Sequence, residues 1–197
     1  MISTVNWPQL ALLTVRAPKE AAAIIMSWQI PRAELWMAAA VVAIASTFMS
    51  TLSNMLIPMP DPLAVMVANP FTLFMIIAGS FVLTVHALFW TGRAMGGSDD
   101  MSDLLALLVW MQTLRAAAQV LVLLSVVLVP PLAGFLVLIV GVATIWVFLN
   151  FISVGLQLNS IMRAVLVLLV GALAISVGLS LLLSMIGVSA LGVSANV

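Results

Sequence analysis

Charged residues are so rare in this chain that the apolar stretches between them define its elements. Five stretches of mostly apolar residues follow one another from Leu35 onwards. A helix needs about 20 apolar residues to cross the hydrocarbon core of a bilayer, so each stretch predicts one transmembrane helix. The predicted spans are residues 35–57, 71–91, 104–128, 132–156 and 164–186.

Prolines divide the longer apolar stretches. Pro70 suits the start of a helix, and the residue before a proline avoids the helical region, so the second span begins near Phe71. The run Ala116–Met162 holds no charge, and as one helix it would be about 70 Å long. A single crossing of about 30 Å cannot use that length. Pro130–Pro131 therefore separates spans three and four.

The first 31 residues have a different pattern. No basic residue occurs before Arg16, so the segment lacks the positive region of a signal peptide. Pro18 predicts a helix start, and Ala21, Ile25 and Trp28 then share one helical face. This helix either lies in the membrane interface or packs on the cytoplasmic end of the bundle. The chain thus divides into an interfacial segment 1–31, a five-helix domain 32–188 and a short tail 189–197.

The distribution of basic residues predicts the orientation in the membrane. The segments before span one, between spans two and three and between spans four and five carry five Lys and Arg residues: Arg16, Lys19, Arg32, Arg93 and Arg163. The segments Ile57–Pro70 and Val129–Pro131, and the tail after Gly187, carry none. Because basic residues favour the cytoplasm, we expect the N-terminus inside and the C-terminus outside.

Composition excludes several classes of protein. Hydrophobic residues make up 65% of the chain, charged residues 6%, and the mean hydropathy is +1.34, which excludes a soluble enzyme. Lys and Arg number six, as do Asp and Glu, so there is no basic excess for a nucleic-acid partner. The absence of Cys excludes disulfides, thiolate chemistry and Cys-based zinc sites. The sequence predicts an all-α integral membrane protein.

Three stretches carry a family resemblance. A short helix beginning "RAPKEAAAIIMSW" precedes the spans, the turn "GRAMGGSDDMSD" leads into "LLALLVWMQTLRAAAQ", and "NFISVGLQLNSIMRAV" links spans four and five. Over roughly residues 8–188 this layout resembles the YIP1 family in its short bacterial form. The resemblance implies a bacterial inner-membrane protein with a scaffold, membrane-organisation or trafficking role. Eukaryotic members are linked to Rab GTPases and carry a "DLYGP" motif; this chain has no Tyr, so that partner is not carried over.

Arg115 is the strongest candidate for a functional residue. It lies near the middle of span three, where an Arg costs roughly 2.5–3.5 kcal/mol on insertion scales. Gln112 and Gln119 lie three residues before it and four after it, so the three share a face. Asp103, the nearest acid in sequence, is about 18 Å away along a helix and cannot pair with Arg115. The group either binds an anion or lipid headgroup, or bonds neighbouring helices.

Other polar residues extend this candidate site. His86 is the only histidine, and it either titrates near neutral pH or makes an interhelical hydrogen bond. Asn150, Ser153 and Gln157 share a face of span four that could meet the Gln112 face as one polar seam. We predict no metal or cofactor site and no catalytic residue. The candidate intramembrane polar site comprises Gln112, Arg115, Gln119, His86, Asn150 and Gln157.

Small and turn-forming residues predict packing. Asp99, Asp100 and Asp103 lack the spacing of a calcium loop, and the sequence favours Ser102 or Asp103 as the cap of span three.

Two stripes of small residues predict close helix packing within the bundle or in an oligomer. They comprise Ala39, Ala43, Thr47 and Thr51 in span one, and Ala172, Ser176, Ser180 and Ser184 in span five.

Two functions remain open at this point. The first is a non-enzymatic scaffold in the lipid bilayer that organises lipids or protein partners through its cytoplasmic N-terminal helix, with a homo-oligomer as one arrangement. The second is a small-solute or ion transporter with a polar site around Arg115. The scaffold predicts a dry bundle, whereas the transporter predicts water beside span three. An enzyme is not predicted, because no nucleophile–base pair or metal cluster is evident.

Overall fold

The computed structural model describes residues 6–56, 69–158 and 160–190; for residues 56 and 185–190 it describes the backbone alone. Outside the described residues lie the end of the predicted first span, most of the segment Ile57–Pro70, Asn159 between the predicted spans four and five, and most of the tail 189–197. All statements about the fold concern the described ranges.

Seven helices account for nearly all described residues. They are α1 (Trp7–Arg16), α2 (Pro18–Met26), α3 (Arg32–Leu56), α4 (Pro70–Ala94), α5 (Met101–Leu128), α6 (Pro130–Gly155) and α7 (Ile161–Ala190). Five of them, α3 to α7, are long and apolar enough to cross a membrane. The prediction of an all-α protein with five membrane-spanning helices is confirmed, while the orientation stays a prediction.

The starts of the spanning helices follow local capping chemistry. The side chain of Asn69 accepts a hydrogen bond from the backbone N–H of Phe71 at 2.9 Å, so Asn69 caps α4 just before Pro70. Asp100 caps α5 in the same way, accepting from the N–H of Ser102 at 2.8 Å. The prediction that Ser102 or Asp103 caps this helix is wrong. The extended backbone of Asp100, two residues before Ser102, places its carboxylate at the first free N–H groups of the helix.

The N-terminal segment forms two helices where the sequence predicted one. Asn6 caps α1, and Ala17, in an extended conformation before Pro18, separates α1 from α2. Both helices bury one face against α5 and α6. The buried residues of the pair are Leu10, Thr14, Pro18, Ala21, Ala22 and Ile25. The pair thus packs on the bundle, while its position in the membrane interface stays a prediction.

Helix α5 lies at the centre of the bundle. It contacts α2, α3, α4 and α6, and all seven residues of Leu104–Trp110 are buried. Consecutive buried residues cover every direction around a helix, because neighbouring side chains are about 100° apart. The segment Leu104–Trp110 is therefore enclosed on all sides, and α1 and α2 close the side that the spanning helices leave open.

The two small-residue stripes have different surroundings. In α3, Ala39, Ala43 and Thr47 are buried in the bundle, as predicted. In α7, Ser176 and Ser180 are exposed and donate to carbonyls of their own helix, so this stripe does not seal the monomer. The face of α7 that packs on α4 instead contains Gly171 and Gly178. A Cβ on either would lie 3.0 Å from a leucine side chain of α4.

Candidate functional site

Helices α3, α5 and α7 begin at the end of the bundle where α4 and α6 end, and we call this the basic end because it carries Arg32, Arg93 and Arg163. The guanidinium of Arg32 donates to the Asp100 carboxylate at 3.2 Å and to the Ser102 hydroxyl at 3.0 Å. Hydrogen bonds from the Ser102 backbone and hydroxyl, together with Arg32, lower the pKa of Asp100. These contacts connect the starts of α3 and α5.

The turn between α4 and α5 is fixed to the neighbouring turn. The N–H of Gly97 donates to the carbonyl of Gly92 at 2.9 Å, and the N–H of Ser98 donates to the carbonyl of Leu156 at 2.8 Å. At Gly97 a Cβ would lie 2.8 Å and 2.9 Å from those two carbonyl oxygens. Only glycine fits there, so the polar turn noted in the sequence is a packing element of the basic end.

A hydrogen bond in the core holds α1 on the bundle. The indole Nε1 of Trp110 in α5 donates to the hydroxyl of Thr14 at 3.0 Å, and both residues are buried. The Trp7 ring lies 5.8 Å from the Trp110 ring and 5.9 Å from the Trp28 ring, centroid to centroid. The sequence analysis did not predict this cluster of Thr14 and three tryptophans. The available signal was the spacing of Leu10 and Thr14, which lie four residues apart and therefore share one helical face.

Gln112 and Gln119 face α3. The amide of Gln119 donates to the hydroxyl of Ser50 at 3.1 Å, across the α3–α5 interface. Gln112 lines a cavity of about 10 Å³ together with small or apolar residues of α3 and α4, among them Ala43 and Phe81. A cavity of this size holds at most about one water molecule. The two glutamines therefore belong to a packed interface between helices.

Arg115 faces a different neighbourhood. Its side chain is exposed and lines a groove of about 250 Å³ between α1, α5 and α6. Within the described ranges no ion pair or side-chain hydrogen bond involves Arg115. The structure thus separates Arg115 from Gln112 and Gln119, which the sequence had grouped on one face. The residues that line the groove are Ala11, Val15, Met111, Leu114, Arg115, Ala117, Ala118, Leu121, Val140, Ala143, Thr144 and Val147.

His86, Asn150 and Gln157 occupy three further places. His86 donates from Nδ1 to the carbonyl of Val82 at 2.8 Å, because a carbonyl only accepts, and its ring stacks on Trp36 with centroids 6.0 Å apart. Asn150 is 2% exposed and donates to the carbonyl of Trp146 within its own helix.

Gln157 does not continue the face of Asn150 and Ser153. Helix α6 ends at Gly155, and Gln157 follows in an exposed turn with φ +52°. The predicted polar seam is therefore divided: Gln112 and Gln119 share the α3–α5 interface, while Arg115, His86, Asn150 and Gln157 lie in four other places. In the described part of the chain no buried side-chain N or O atom lacks a hydrogen-bond partner. Nor do three His, Asp or Glu side chains come together there in a group able to hold a metal ion.

Comparison with known proteins places this architecture in a family. The model of the Yip1 domain matches residues 12–182, which include α2 to α6, the second half of α1 and most of α7. No curated protein and no solved structure matches the chain significantly. The family match covers most of the chain, and the five apolar helices agree with a protein embedded in a membrane. This chain is thus an integral membrane protein of the Yip1 family.

Proposed function

We propose that this protein is a non-enzymatic scaffold of the bacterial inner membrane that holds partner proteins at the cytoplasmic face through α1 and α2. The observation that carries the proposal is the fixed position of this helix pair. Thr14, Ala21 and Ala22 are fully buried against the bundle, and the Trp110–Thr14 hydrogen bond holds α1 in place. A helix pair held in this way presents its outer face in one orientation.

The outer face of the pair is apolar enough to dock a partner. Trp7 is 57% exposed, Leu12 52% and Ile24 41%, while Lys19 and Glu20 add charges beside them. Exposed apolar residues next to charges are typical of interaction surfaces. This face is separate from the surfaces of α6 and α7, whose exposed Leu and Val residues suit contact with lipid.

The surroundings of the polar residues favour the scaffold over the transporter. Gln119 bonds Ser50, Gln112 lines a cavity of about 10 Å³, and Asn150 bonds its own helix. A transport path requires polar groups that line one connected, hydrated route. Gln119 and Asn150 instead make their hydrogen bonds in separate, packed places, as structural polar residues in membrane helices do, and the cavity beside Gln112 is too small for a hydrated path.

Cysteine labelling tests the dry bundle directly, because the chain has no Cys of its own. We would place single cysteines at Gln112, Ala116 and Gln119 and treat membranes with an impermeant thiol reagent. Ala94, exposed at the end of α4, supplies the accessible control position. We expect labelling at 94 and protection at 112, 116 and 119, since water does not reach the α3–α5 interface. Labelling at 112 and 119 would support the transporter instead.

Photo-crosslinking tests whether α2 meets a partner. A photoreactive amino acid at Ile24 should form a protein adduct of defined mass in native membranes. The same amino acid at Val177, exposed on α7, serves as the matched lipid-facing control and should form lipid adducts only. If both positions gave lipid adducts alone, the proposed docking role of the N-terminal helices would be rejected, whatever the labelling of the bundle showed.

A further inference from the structure

The groove beside Arg115 combines a charge with an apolar wall. Ala11 and Val15 of α1 form one side, Ala118 of α5 the floor, and Ala143 and Thr144 of α6 the other side. Small side chains at these positions leave about 250 Å³ between the three helices. Leu121, which borders the groove, is 62% exposed, so the groove opens towards the lipid-facing surface.

Arg115 brings an uncompensated charge to this groove. It lies about 21 Å along α5 from Met101, at 1.5 Å per residue, which is close to the middle of the helix. Within the described ranges its guanidinium makes no ion pair or hydrogen bond, although an arginine at such a depth is costly without a partner. Because side chains of a helix lean towards its N-terminus, we expect the guanidinium to extend along the groove towards the basic end.

A second polar group faces the same groove. Thr144 lines it from α6, and its hydroxyl makes no hydrogen bond to a described residue. By contrast, Thr47, Thr84 and Thr113 each donate to the carbonyl one turn earlier in their own helix. The groove thus offers a guanidinium and a hydroxyl donor, and Arg16, exposed at the end of α1, follows directly after groove residue Val15.

We propose that this groove binds one anionic glycerophospholipid, with the phosphate on the Arg115 guanidinium and an acyl chain along the apolar wall. A guanidinium forms paired, charge-assisted hydrogen bonds with phosphate oxygens. The alanine and valine walls complement a hydrocarbon chain. A phospholipid supplies both parts from the surrounding bilayer, whereas a soluble anion would leave the apolar wall without a partner. This lipid site is independent of the partner-docking role proposed for α1 and α2.

Native mass spectrometry of the purified full chain measures the binding. Wild-type protein in detergent would receive phosphatidylglycerol or phosphatidylcholine with identical acyl chains. We expect wild type to bind phosphatidylglycerol about tenfold more tightly, which corresponds to about 1.4 kcal/mol. Arg115→Gln should lose this preference. Arg163→Gln, which removes an exposed arginine of α7 outside the groove, is the matched control and should keep the preference.

A second variant separates the groove from the charge. Ala143→Phe keeps Arg115 but fills the groove, and it should weaken the binding of both lipids; far-UV circular dichroism checks that each variant remains helical. Three results would overturn the proposal: equal lipid preference in Arg115→Gln and wild type, equal loss in Arg163→Gln, or unchanged binding in a folded Ala143→Phe. Glycerophosphoglycerol, the headgroup without chains, binding as tightly as the lipid would also overturn it in favour of a soluble-anion site.

Discussion

Single residues at the basic end decide how closely the turns approach each other. At Gly97 the two nearest groups are backbone carbonyls, those of Gly92 and Leu156. A flexible side chain can move away from an added methyl group, but a backbone carbonyl within a helix end cannot do so without breaking its hydrogen bonds. The sequence marks the turn as polar and glycine-containing, and the tertiary structure explains why one of its glycines is required.

The substitution Gly97→Ala should therefore destabilise the protein. We expect the free energy of unfolding to fall by about 1–3 kcal/mol, because the methyl group would push the two turns apart. The measurement is denaturant or thermal unfolding of the purified protein in detergent, followed by far-UV circular dichroism. Gly134→Ala in α6 is the matched control, since nothing lies within 4 Å of its added Cβ. If both variants unfolded like wild type, the tight approach at Gly97 would be refuted.

At the scale of elements, α1 and α5 are coupled through one buried hydrogen bond. Trp110 has a single donor, the indole N–H, and in the buried interface Thr14 supplies the acceptor. Thr14 also donates to the carbonyl of Leu10 at 2.8 Å, so its hydroxyl both donates and accepts a hydrogen bond. The helix α1 is short, and packing of this kind stabilises it more than its intrinsic propensity does.

Thr14→Val tests this coupling. The variant keeps the shape of the side chain but leaves the indole N–H without an acceptor, so we expect a loss of about 1–3 kcal/mol in the free energy of unfolding. In a double-mutant cycle with Trp110→Phe, the two losses should not add, because either change removes the same bond. Thr113→Val, an exposed threonine that bonds its own helix, is the control and should cost little. Additive losses would show that the two helices are not coupled through this bond.

At the scale of the whole molecule, the spanning helices alternate in direction and carry most of their charges at one end. The Arg32–Asp100 contact joins the starts of α3 and α5, and the Ser98–Leu156 hydrogen bond joins the turns that follow α4 and α6. Arg93 also lies here, paired with Asp99 at 2.8 Å. The opposite end has Val129 as its described connection between α5 and α6.

This asymmetry predicts the orientation, since basic ends stay in the cytoplasm. An impermeant thiol reagent added to intact cells should label a cysteine placed at Val129 and should not label one placed at Ala94. In inside-out vesicles the pattern should reverse. Both positions are exposed, so accessibility of the side chain does not distinguish them. Labelling of position 94 in intact cells would show the opposite topology, with the docking surface of α1 and α2 on the outside.

The amino-acid sequence alone specifies the number and type of the spanning elements. The length of an apolar stretch is a local property of the sequence. In lipid every backbone N–H and C=O must be hydrogen-bonded within the segment, so an apolar stretch of sufficient length forms a helix. The prolines at 70 and 130 and the pre-proline residue Ala17 set helix boundaries for equally local reasons. The same reasoning would have identified α1, since Asn6 and Pro8 form a helix start.

The partners of each helical face were decided by the tertiary structure. Residues three apart on a helix point about 60° away from each other, so Gln112 and Arg115 can share a face and still meet different neighbours. Here Gln112 meets α3, whereas Arg115, about 60° further round α5, meets α1 and α6. Hydrophobicity does not choose among neighbours inside a membrane, because lipid is as apolar as the helices. Shape and hydrogen bonding made that choice, and they arise only when the helices are packed together.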